Sequence, residues 1–98
     1  LIDIRLRPEA TDDIGKAVAW CEDQRPGLDV EFLLELDAAI ERAATSPQSY
    51  ALQHLGARRV LIQRFLYNVH FYVEPDAVEI FGVLHQQRIP LSWLSRLT

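Results

Sequence analysis

RRVLIQRFLYNVHFYVEPDAVEIFGVLHQQR, residues 58–88, is the stretch whose reading decides the fold. It is rich in β-branched and aromatic residues, the types that suit a pleated, half-buried surface, and it divides into three strands. Glu74-Pro75-Asp76-Ala77 is a turn, with Pro75 pre-set for its second position. Pairing Val73 with Val78 puts Phe71 opposite Ile80, Val69 opposite Gly82 and Tyr67 opposite Leu84. That face is almost purely apolar and must meet other elements. The opposite face then carries Asn68, His70, Tyr72, Glu79, Phe81, Val83 and His85, with His70 facing Phe81 and His85 facing Leu66. A one-residue slip would bury the polar set, so the alternation specifies this register. In the preceding strand, residues 58–63, Val60 and Ile62 point inward and Arg59 and Leu61 outward. Residues 64–66 turn the chain.

Upstream, Ile2, Ile4 and Leu6 alternate with Asp3, Arg5 and Arg7, the period of a half-buried strand. Pro8 suits a first helical turn, where its missing N–H costs nothing, and Glu9, Asp12 and Asp13 suit the positive end of a helix. Ala10, Ile14, Ala17, Val18 and Cys21 share one stripe, which predicts an amphipathic helix over 8–24, stopped by Arg25-Pro26-Gly27. Asp29 is the expected N-cap of a second helix running to about Thr45, with Phe32, Leu33, Leu36, Ile40 and Ala43 as its apolar stripe. Ser46-Pro47 ends it, and residues 46–57 read as a loop. After the strands, Pro90 opens a short amphipathic tail whose Trp93, Leu94 and Leu97 can seal a sheet edge or core rim. The expected fold is one α+β domain over residues 1–98: strand, helix, helix, three strands. Its mainly antiparallel sheet is packed on one face against a helical hairpin and open on the other. The N-terminal strand must join that sheet, but the pattern does not name its neighbour.

Composition excludes several classes. The chain has 98 residues, 49% hydrophobic and 24% charged, as in an ordinary globular domain. No apolar run approaches the roughly 20 residues of a membrane span. The charged, alternating start is unlike a signal peptide, and the single cysteine, Cys21, permits no internal disulfide. A cytoplasmic location is the expectation. The net charge of −4 argues against direct nucleic-acid binding. It is unevenly spread. Residues 1–50 hold eleven acidic against five basic side chains, −6, while residues 51–98 hold three against five, +2.

Four segments in this order carry a resemblance: RPEATDDIGKAVAWCEDQRPGL, FLLELDAAIERAATSP, ARRVLIQRFLYNVHFYV and VLHQQRIPLSWL. Together they cover nearly the whole chain, and the chain resembles the ParE/RelE superfamily of toxins from type II toxin–antitoxin modules. The resemblance implies a toxin neutralised by a cognate, ParD-like antitoxin whose partly disordered tail folds along the toxin surface. RelE-like members cut mRNA on the ribosome. ParE-like members, associated with plasmid stabilisation, are linked to poisoning DNA gyrase and lack the nuclease residues.

Metal-independent RNA cleavage needs a base, cationic support for the phosphate and an acid. The third-strand position where RelE-like nucleases carry an arginine corresponds to Asn68, which supplies hydrogen bonds but no charge. His85 matches a position where some nucleases have a catalytic histidine, so the nuclease alternative would use His85 with Arg59 or Arg64. An inactive antitoxin-binding relative is a third reading. Asn68 and the acidic balance favour the ParE-like branch, with gyrase the candidate target and no catalytic residue, cofactor or metal expected. The candidate partner-binding residues are Arg59, Arg64, Asn68, His70, Tyr72, His85, Arg88 and Trp93. Arginines there would grip phosphate or an antitoxin carboxylate. The ordinary alternatives are a solvated rim for the arginines and cross-strand packing for Tyr72. Trp20 reads as edge packing and Cys21 as core; Glu35, Asp37 and Glu41 read as a solvated helix face.

Overall fold

Helix and strand periods resolve, in the computed structural model, into β1 (Asp3–Leu6), α1 (Pro8–Gln24), α2 (Leu28–Thr45), a 3-10 turn (Pro47–Ser49), β2 (Arg58–Ile62), β3 (Tyr67–Val73) and β4 (Ala77–His85). The structure describes residues 2–53 and 56–86. The expected fold class holds. The sheet runs β1-β4-β3-β2, and the helical hairpin packs on one of its faces. β3 pairs antiparallel with both β2 and β4, while β1 lies parallel to β4, with Arg5 opposite Glu79.

The hairpin turn departs from expectation at one residue. α2 is N-capped by Gly27, not Asp29, and Gly27 takes a left-handed φ of 87°. The Leu28 N–H donates to the Arg25 carbonyl and the Glu31 N–H to that of Gly27, so the tight turn flows directly into the helix. A glycine meets this backbone without steric cost. Asp29 instead sits with Glu31 in the first turn, where negative charge suits the helix N-terminus.

The core lies between the hairpin and the sheet. Phe32 is fully buried and meets Phe65 and Tyr67 edge-on at 5.3 and 5.4 Å between centroids. Leu36, Ala39 and Ala43 continue its stripe, while Leu33, expected inward, is 38% exposed. Val60 and Ile62 face this core, and Arg59 and Leu61 face away, as their alternation predicts.

A β-bulge corrects the predicted register. Val73, Tyr72 and Phe71 pair with Val78, Glu79 and Ile80, but His70 then pairs with Gly82, leaving Phe81 as the extra residue. Beyond the bulge every side chain of β4 changes face. Val83, expected outward, faces Val69 and joins the core, and His85 faces Tyr67 rather than Leu66. The run Ile80-Phe81-Gly82-Val83-Leu84 contains no polar residue, so no break in alternation marks the extra position.

β1 stops short of β4, which would leave backbone groups of β4 unpaired. Two residues close the gap. The Arg7 N–H donates to the Ile80 carbonyl at 2.9 Å, and the Val83 N–H donates to Asp13 Oδ2 on α1 at 3.1 Å. Asp13, expected to serve only the helix end, is therefore buried and binds the sheet. Among the described residues no helix is long and apolar enough to cross a membrane.

Candidate functional site

The sheet face turned away from the hairpin is built by the alternate residues of β2, β3 and β4. Arg59 lies opposite His70 and Leu61 opposite Asn68; across β3, Asn68 faces Leu84 and His70 faces Gly82. This face is less open than its sequence suggests. Asn68 and His70 are only 6% and 5% exposed. Phe81, displaced by the bulge, lies across part of it, stacked on Tyr72 at 4.7 Å and tilted against His70 at 6.0 Å.

Arg7 completes this aromatic patch. Its guanidinium stands 5.7 Å from the Tyr72 ring centroid and 5.9 Å from that of Phe81, and its Nη2 lies 2.7 Å from Glu79 Oε2. A half-buried cation beside stacked rings is favoured by their quadrupoles. Burial raises the Tyr72 phenol pKa; Arg7 opposes that shift and Glu79 adds to it. Tyr72 is consequently a neutral phenol at physiological pH and a poor candidate for a phenolate base.

Beside the patch, Arg59, Leu61, Asn68 and Gln86 line a shallow depression of about 460 Å³. Arg59 and Leu61 form its exposed wall, and Asn68 its buried one. Nearby arginines are engaged elsewhere. Arg58 donates to the Tyr50 carbonyl and Gln48 Oε1, Arg42 to the Leu61 carbonyl at 3.0 Å, and Arg5 to Asp76 at 2.9 Å.

Two other candidate residues lie on the hairpin side of the sheet. His85 pairs with Tyr67 and meets its ring edge-on at 5.5 Å, and Tyr67 in turn packs on Phe32 of α2. His85 therefore lies on the hairpin side of the sheet, with the bulge as the reason. Arg64 is tied to Glu31 of α2 at 2.7 Å. The combination of His85 with Arg59 is not assembled, because a β-sheet separates them. Arg88 and Trp93 lie outside the described residues. Cys21 is buried, and its thiol pKa is raised by that burial and by the Asp29 charge, so it is a core side chain. Among the described residues no group of three His, Cys, Asp or Glu side chains could hold a metal ion.

The structure adds Arg7, Phe81 and Asp13 to the residues that shape this region. Only Asp13 leaves a signal in the sequence: it stands three residues after Ala10 and four before Ala17, a lone carboxylate on an apolar stripe.

Comparison with known proteins follows the same lines. Residues 4–90 match the family model described as the ParE toxin of the type II toxin–antitoxin system, parDE. No curated protein matches the chain. Among solved structures, the chain is similar to one from the chromosomal ParDE toxin–antitoxin system of P. aeruginosa. That likeness has a TM-score of 0.75 at 11% identity, over 86% of this chain and 95% of the other. At that identity it speaks for the fold.

Proposed function

Because the chain belongs to the ParE toxin family of type II toxin–antitoxin systems, we propose that it is a toxin that binds its target rather than cutting it, that the target is DNA gyrase, and that a cognate antitoxin holds it inactive. The observation that carries the non-nucleolytic reading is the separation of its candidate catalytic groups. Cleavage of RNA needs a proton-transfer group and cationic support around one phosphate. Here His85 and Arg59 face opposite sides of the sheet and Arg64 is paired with Glu31; the family resemblance further implies that Asn68 stands where nuclease relatives carry an arginine. The antitoxin reading rests on family membership, and the similar solved structure comes from a ParDE system.

Purified, antitoxin-free protein mixed with gyrase and plasmid is expected to inhibit supercoiling or trap cleavage complexes. No effect at micromolar excess would sink the gyrase reading. Primer extension on translating ribosomes should show no new cuts; cuts abolished by His85→Ala would replace this proposal with ribosome-dependent mRNA cleavage. The antitoxin is expected to copurify with the chain when both are expressed from their shared locus.

A further inference from the structure

The amide of Asn68 is a buried polar group with no hydrogen-bond partner among the described residues, on a residue 6% exposed. Buried side-chain amides are nearly always satisfied, and leaving one unsatisfied is costly. It lines the same depression as Arg59, whose guanidinium has no ion-pair or hydrogen-bond partner among the described residues. Every other described arginine is engaged, whether by a carboxylate, as Arg5, Arg7, Arg25 and Arg64 are, or by a main-chain carbonyl, as Arg42 and Arg58 are. An unpaired cation and an orphaned amide therefore converge on one notch, with the Gln86 side chain at its edge and Leu61, 43% exposed, as an apolar wall.

We propose that this notch is a docking site for one carboxylate side chain of the antitoxin, a glutamate by preference. This deepens the antitoxin reading above and rests on it. The chemistry selects the ligand. A guanidinium offers a planar fork of donors that a carboxylate accepts in bidentate fashion, and the Asn68 amide supplies a further donor to the remaining lone pairs. Leu61 can cover the methylenes of a glutamate. A nucleic-acid backbone fits worse. It calls for a row of cations, whereas the other arginine of this strand, Arg58, is turned to the opposite face and bonded there. Asp76 and Glu79, on the turn before β4 and on β4 itself, already hold Arg5 and Arg7, so among the described residues neither supplies the missing anion.

The free protein carries the orphaned amide as a local destabilisation that the partner relieves. Asn68→Leu is therefore expected to raise the melting temperature of the free chain and to weaken antitoxin binding, while Arg59→Gln weakens it about tenfold or more. In a scan replacing each antitoxin Asp or Glu by its amide, one position should be non-additive with Arg59→Gln. Additive effects throughout, with wild-type binding intact, would overturn the notch and leave the antitoxin reading standing. A lower melting temperature for Asn68→Leu with unchanged affinity would assign Asn68 a structural role and also overturn it. If wild-type chain bound no antitoxin, the functional reading would fall, and a second measurement would still judge the notch. In that measurement the Asn68 side-chain amide NMR signal is followed while glutarate is titrated. A saturable shift lost in Arg59→Gln supports a carboxylate site. No response to glutarate, or a response only to a short RNA, overturns it.

Discussion

Glu31 holds two guanidinium groups with one carboxylate, Arg64 at 2.7 Å and Arg25 at 3.1 Å. One comes from the turn between β2 and β3, the other from the end of α1, so a single side chain ties the hairpin to the sheet. The turn needs tying. Arg64 and Leu66 adopt left-handed backbone, at φ 76° and 58°, which costs a residue with a Cβ about 1–2 kcal/mol. The hydrogen bonds from Arg64 and then Arg25 lower the Glu31 pKa. A carboxylate whose folded pKa is depressed contributes stability above its unfolded value, roughly 4.3, and loses it as pH falls through the folded value. The urea midpoint of Glu31→Gln should therefore lie below that of wild type at pH 7, and the gap should close as pH falls below the unfolded carboxylate value and through the folded one. Because the pairs are exposed, added salt at pH 7 should narrow the gap as well. None of this partnership was legible in the sequence. Arg64 is recognisable as a cation in a turn that could grip an anion, but Glu31 lies 33 residues away and only the tertiary fold joins them.

β4 is the element on which the candidate site depends, and it shows where sequence reading reached and stopped. Its existence, its turn and its first pairs followed from alternation and from Pro75. Its far half did not, because an all-apolar run hides a bulge. Strict alternation therefore places His85 and Val83 on the wrong face, and with His85 the expected neighbourhood of Arg59 is lost. Arg59, Asn68 and His70 kept their face because β2 and β3 pair without irregularity. The edge of β4 beyond β1 is held by Asp13. Asp13→Ala leaves the buried Val83 N–H without its acceptor and should lower unfolding stability by about 1–3 kcal/mol in urea titration. Asp13→Asn, whose side-chain oxygen still accepts, should lose less. In both variants the Val83 amide should exchange faster with solvent.

Across the whole molecule, charge is divided as the fold is divided. The half containing both helices carries −6 and the half containing β2 to β4 carries +2, in a chain of −4 overall. A chain with a net charge of −4 and so small a basic excess in one half should pass through a heparin column at physiological salt. Retention there until high salt would argue for a nucleic-acid surface. The helix-on-sheet architecture was readable because two 3.6-residue stripes precede three period-two segments. The position of β1 was not, because a short strand of alternating residues fits either edge, and only packing against β4 selects one.

That position sets an order of events during synthesis. Asp3 pairs with Ala77, so the first strand of the sheet finds its neighbour only after more than seventy further residues have been translated. At elongation speeds of about 5–20 residues per second, that wait is on the order of 4–15 s. Until then Ile4 and Leu6 have no sheet to join, and the nascent chain cannot present a finished surface to any target. β4 is therefore the strand whose synthesis completes the sheet, joining β1 on one side and β3 on the other.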